Sequence, residues 1–198
     1  MKIIKQKHID YDNIGYGEND GWKSMYDWGK MQKIIKRGGI VVSGLSAITA
    51  LLLFRFVFNS IINTDNKISY LLLVLLSILL YVIIVVPIHE ILHLVAYNPN
   101  IFTKKHYIFV GLPAVSAFYD GEISKLKALF SSVLPFIGIT LGLLVIGIFV
   151  NMLMPWISLL IIMNAGGSWT DIFMFFYLSK KIPKNAVVYG NRYKVIEE

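Results

Sequence analysis

Four stretches of the chain are apolar over lengths that suit a bilayer crossing: residues 39–62, 69–97, 128–150 and 156–178. Each reaches the ~20 residues that a helix needs to cross the hydrocarbon core. The links within the first pair and within the last pair are short, so the pattern predicts two helical hairpins joined by a polar connector. The expected fold class is an α-helical integral membrane protein of about four transmembrane helices, with short cytoplasmic β-hairpin-like segments. In the connector, residues 106–110 and 114–119 flank Gly111-Leu112-Pro113 and suit either two short strands or a re-entrant loop. Alternation in the tail around Gly190-Asn191 predicts a small hairpin. Near the start, residues 15–21 are loop-like. The basic piece from Trp22 to Arg37 is helix-prone and is expected to lie along the inner membrane surface. Three regions follow: a cytoplasmic N-terminal segment (1–38), a four-helix membrane domain (39–178) and a cytoplasmic tail (179–198). No internal repeat is present.

Composition strengthens the membrane assignment. Of 198 residues, 56% are hydrophobic and 16% charged, with mean hydropathy +0.64, whereas soluble domains are nearer ~45–50% apolar. The first 38 residues lack a basic start followed by a short apolar core, so a cleavable signal is not expected. Without cysteine, neither disulfides nor thiolate ligands are available, and any zinc must be held by histidine and carboxylate. The net charge of +7 is unevenly placed: 17 of the 19 basic residues lie in the N-terminal segment, the connector and the tail. By the positive-inside rule these segments are cytoplasmic, giving a multi-pass protein of the cell membrane with both termini inside. The basic residues flank apolar runs and accompany no recognition motif, which points to anionic lipid headgroups rather than nucleic acid. Arg55, seven residues from the outer end of its stretch, is expected to snorkel to the interface.

The second apolar stretch ends in His89-Glu90-Ile91-Leu92-His93. Residues four apart share a helix face, so His89 and His93 can offer two imidazole nitrogens to one zinc ion, with Glu90 beside them as general base. A catalytic zinc usually takes three protein ligands. Asp171 is the best third candidate, being the only acid in the fourth stretch and about 13 Å along a helix from Lys180, a depth that His93 can match. His106, Asp120, Glu122 and His8 compete for that place from polar segments, although His106 beside Lys105 is more simply a solvated surface residue. Asn164 and Ser168 fall on the Asp171 face. Asn164 suits either a hydrogen bond to substrate or a developing oxyanion, or a bridge between helices. Gly166 and Gly167 suit close helix approach or a local break.

With these residues the chain resembles the zincin-type membrane peptidases, small four-span bacterial proteins distantly similar to the site-2 protease family of intramembrane metalloproteases. Three landmarks carry the resemblance: Pro87 through His93, Leu134-Pro135-Phe136, and Asn164 through Asp171. It implies His89, His93 and Asp171 as zinc ligands and Glu90 as general base. Where site-2 proteases carry Asn-x-x-Pro and then Asp-Gly, this chain has Asn164-Ala165-Gly166-Gly167 and then Asp171-Ile172. The expected function is a zinc metalloprotease cleaving a membrane-associated peptide or protein near the cytoplasmic leaflet. The alternatives are a non-catalytic zinc-binding scaffold or immunity-type protein, and a zinc hydrolase acting on a lipid or small molecule.

Overall fold

The structure is a computed structural model that describes residues 1–5, 21–25, 27–62, 67–111, 114–149 and 154–196. His8, residues 15–20, the 112–113 turn and the Arg55 side chain fall outside the described residues. The described chain is a mixed α/β fold, which overturns the expectation of an α-helical protein of about four spans with short β-hairpin-like segments. Seven strands in two sheets accompany the helices. Among the described residues, two helices are long and apolar enough to cross a membrane, Val74–Tyr97 and Lys125–Phe149, or three if a bent pair is one span. Segments that look like accessory hairpins in the sequence are instead joined by pairing between residues far apart in the chain, from Ser124 with Val187 to Lys23 with Tyr193, which local patterning does not reveal.

In chain order the elements are β1 (Lys2–Lys5), β2 (Lys23–Ser24), α1 (Trp28–Ile62), α2 (Lys67–Leu80), a π-helical turn (Tyr81–Val85), α3 (Val86–Tyr97), β3 (His106–Gly111), β4 (Ala114–Tyr119), β5 (Ile123–Ser124), α4 (Lys125–Phe149), α5 (Met154–Gly167), α6 (Trp169–Lys181), β6 (Ala186–Tyr189) and β7 (Arg192–Val195). They divide into two compact units, with cuts inside α1, α3, α4 and α6.

One unit comprises Met1–Lys33, Glu90–Pro135 and Asp171–Glu198. Its first sheet has the order β1-β3-β4, with β1 parallel to β3 and β3 antiparallel to β4. The connector therefore forms strands rather than a re-entrant loop. Its second sheet has the order β2-β7-β6-β5, all antiparallel. The β6–β7 turn is the tail hairpin that alternation predicts, and Gly190 takes the left-handed conformation there, at φ +54. Met25, Ile123, Ala128, Leu178, Ile182, Ala186 and Val188 form the core of this unit. Lys125, at the start of α4, donates to the Ser179 and Ile182 carbonyls and so satisfies orphan acceptors at the C-terminal end of α6. The basic piece expected as a surface helix is partly a strand: residues 23–24 pair with β7, and α1 starts only at Trp28. The Asp27 carboxylate accepts the Lys30 N–H at 3.2 Å and caps that start, and this bond holds its carboxyl below the usual range.

The other unit comprises Ile34–His89 and Phe136–Thr170. Here α5 packs against the π turn and α2. A Cβ on Gly166 would lie 2.8 Å from Ser46, and one on Gly167 would strike the Tyr81 hydroxyl, so both positions need glycine for close approach. The π turn has a local cause. Pro87 has no N–H for the carbonyl four residues back, and the helix widens so that Val86 N–H bonds Tyr81 O, five residues back. The expected single span over residues 156–178 is broken at Ser168, with Ile157–Gly167 and Trp169–Lys181 bent by 45°.

Ile182 is 2% exposed inside the sheet-bearing core, and Leu126 is 77% exposed. Ile182→Ala is expected to cost about 2–5 kcal/mol of stability. Leu126→Ala should stay within about 0.5 kcal/mol. Thermal unfolding in detergent checks both, and equal losses would contradict this placement of the core.

Candidate metal centre

Helix α3 carries His89, Glu90 and His93 within slightly more than one turn, immediately after the π turn. The i, i+4 spacing stacks the two imidazoles, and each ring is held through its Nδ1 atom. His93 Nδ1 lies 2.8 Å from the Ser131 carbonyl oxygen. A carbonyl can only accept, so the proton sits on Nδ1 and the lone pair on Nε2. His89 Nδ1 lies 3.5 Å from Asn164 Oδ1. Asn164 is fully buried, and its Nδ2 donates to the Phe136 carbonyl at 3.4 Å, which fixes the amide with its oxygen toward His89. Both rings thus direct Nε2 away from their anchors, the arrangement that metal-ligating histidines adopt.

Asp171, in the first turn of α6, brings Oδ1 to 3.7 Å from His93 Nε2. That is too long for a hydrogen bond. It is close to the roughly 3.4 Å that separates tetrahedral ligands placed about 2.1 Å from one ion. Ligand atoms of His89, His93 and Asp171 all lie within 4.8 Å of one another, and among the described residues this is the group able to hold a metal ion. The unit boundary falls between His89 and Glu90, but α3 is continuous there, so the relation of His89 to His93 is a property of one helix. Two nitrogens and one carboxylate oxygen form a donor set suited to zinc.

Glu90 is buried and stands outside that group. Its Oε2 accepts the backbone N–H of Ala117 on β4 at 2.7 Å. Neither Ser131 nor Ala117 is foreshadowed by a side-chain pattern, because each contributes a backbone atom. Ser168 is fully buried at the break between α5 and α6, its N–H bonded to the Asn164 carbonyl at 2.9 Å, so the expected straight polar stripe from Asn164 to Asp171 is bent.

Competing ligands lie elsewhere. Asp120 Oδ1 accepts the Tyr189 hydroxyl at 2.6 Å, and Glu122 is exposed. His106 is 0% exposed, which corrects its reading as a solvated residue: it sits at the start of β3, with its ring 5.0 Å from that of Tyr119. Thr103 Oγ1 lies 3.0 Å from its Nδ1, and its Nε2 is buried without a partner among the described residues.

A helix that presents two histidines one turn apart, a glutamate next to the first, and a carboxylate from another helix carries the equipment of a zincin. The chain belongs to that class of protein: the family described as "Putative zincin peptidase" matches residues 82–187, more than half of it, and the chain is a member of that family. The match runs from the π turn to β6 and so includes His89, Glu90, His93, Ser131, Asn164 and Asp171. No curated protein and no solved structure matches the chain, so the wider likeness to site-2 proteases is not carried by these comparisons.

Burial lowers the proton affinity of His106 below its ordinary value, an effect opposed by nearby carbonyls of α3 and the following turn. A neutral buried histidine stabilises the fold above its unfolded pKa of about 6.5, and that contribution is lost as pH falls through the lower folded value. The stability of the wild type relative to His106→Phe is therefore expected to decline below about pH 6.5. Unfolding temperatures of both proteins across that range check it, and a constant difference would contradict it.

Proposed function

We propose that the protein is a zinc-dependent endopeptidase that cleaves a membrane-associated peptide near the cytoplasmic leaflet. The observation that carries this reading is the convergence of His89, His93 and Asp171, with Glu90 at the position next to the first ligand. His89 and His93 would hold zinc through Nε2, and Asp171 through a carboxylate oxygen. Bound there, zinc supplies Lewis acidity, polarising a scissile carbonyl and lowering the pKa of water toward ~7. Glu90 takes the proton of the attacking water and returns it to the leaving nitrogen. The Ala117 N–H holds one oxygen of that carboxylate and so orients the group for proton transfer. Asn164 and the Ser131 carbonyl keep both imidazoles in the Nδ1–H form, so neither ligand must change tautomer on binding metal.

Membrane association is supported by the candidate spans, of which only 17% of the most apolar window is buried within the protein. A cytoplasmic position for both termini and the connector is supported by strand pairing: β1 with β3, β2 with β7 and β5 with β6 bring the three basic segments into one unit. The basic surface of that unit then faces anionic headgroups. A peptide substrate is supported by β4, an edge strand in its sheet, since Ala117 points its N–H away from β3 to Glu90. An extended peptide pairing along that edge would lie beside the general base.

Glu90→Gln is expected to retain zinc and to lower cleavage by about 10²–10⁴-fold. The test incubates a bacterial membrane-protein extract with purified wild type or variant and compares new peptide ends by mass spectrometry. Unchanged cleavage by the zinc-loaded variant would sink the assignment of Glu90 as the base.

A further inference from the structure

The zinc reading leaves one residue near the metal centre without a role. Pro135 is fully buried eleven positions into the 25-residue helix α4. Proline inside a helix is costly, because it lacks the N–H that the carbonyl four residues earlier requires, and its ring pushes that carbonyl aside. Here the carbonyl four residues earlier is that of Ser131, the acceptor for His93 Nδ1. We infer that Pro135 is a positioning residue: by withholding its N–H it reserves the Ser131 carbonyl for His93, and so sets the tautomer and orientation of one ligand.

Three observations support this. Ser131 is only 2% exposed, so water is a poor substitute partner for its carbonyl, and a buried acceptor needs a donor. The hydroxyls of Ser131 and Ser132 both donate to the Ala128 carbonyl, each at 3.1 Å, and neither is directed at Ser131 O. The chain also contains a contrasting case. Pro87 creates the same deficit in the preceding helical stretch, and there the backbone absorbs it by widening into the π turn, with Val86 N–H on Tyr81 O. Around Pro135 the helix stays α-helical from Lys125 to Phe149, and the released carbonyl is met by the imidazole instead. The carbonyl of the residue after the proline, Phe136 O, accepts from Asn164, which holds the other imidazole. The proline thus marks the place on α4 from which both rings are anchored, one directly and one through an amide.

This inference rests on the zinc reading, and the experiment separates the two. Pro135→Ala returns an N–H to position 135 and lets the helix reclaim the Ser131 carbonyl. Zinc affinity, measured by chelator competition in detergent, is expected to fall about 10–100-fold, the usual effect of losing a partner behind a ligand. The metal-free variant is expected to unfold at the wild-type temperature or above, since a helix-interior proline has been removed. A proline serving only packing would give the opposite split, lower stability with unchanged affinity, and that result overturns the inference. Nitrogen NMR of the histidine rings in the metal-free wild type provides a check that needs no folded variant. His93 is expected as the Nδ1–H tautomer, and finding the Nε2–H tautomer overturns the inference as well. A wild type that binds no zinc but shows the Nδ1–H tautomer would remove the zinc reading and leave the anchoring by Ser131 intact.

Discussion

Helix α3 brings three of the four side chains proposed for the zinc chemistry, and that role depends on hydrogen bonds to the Nδ1 atoms of two imidazoles. Spacing along a helix puts His89 and His93 on one face, but it does not select a tautomer or a rotamer. Each unanchored ring would sample both tautomers and several orientations, and ordering them at the moment of metal binding carries an entropic cost. A net hydrogen bond contributes only about 0.5–1.5 kcal/mol to stability. Its larger effect here is to settle in advance which nitrogen faces Asp171. The Ser131 carbonyl and the Asn164 amide are themselves held, one within a buried stretch of α4 and the other through the Phe136 carbonyl. The order is thus from backbone to anchor to ligand, with the chemistry last.

The same logic explains the irregular helices. Pro87 precedes the first ligand by two residues and is answered by a π turn, and the paired glycines 166 and 167 let α5 approach Ser46 and Tyr81 before the chain bends at Ser168. That bend begins a new helix, and Asp171 lies in its first turn. Departures from ideal helix cluster where two side chains of α3 and one from α6, about eighty residues later, come together, which is where such irregularity is usually found.

Much of this was legible in the sequence, for a physical reason. Helical period is local, so His89, Glu90 and His93 could be placed on one element from spacing, and depth along an apolar stretch singled out Asp171. Alternation is local too, so the 106–110 and 114–119 strands and the Gly190 turn could be seen. Strand partners are not local: nothing in Lys2–Lys5 says that it pairs with β3, or in Lys23–Ser24 that it pairs with β7. Missing those pairings made a mixed α/β fold look like a helical bundle with ornaments. His106 misled in the same way. Its neighbour Lys105 suggests solvent, whereas the ring is covered through Tyr119, which belongs to another strand. Pro135 was visible as a landmark, but its consequence emerges only when the residue four positions earlier is seen beside His93.

His89, His93 and Asp171 are proposed to hold one zinc ion. The most direct test is metal content by mass spectrometry of the detergent-purified protein, wild type beside Asp171→Ala. About one zinc per chain is expected in the wild type, lost or greatly weakened in the variant. A folded wild type that takes up no zinc even when it is supplied, or a variant that holds zinc as well as the wild type, would contradict the account.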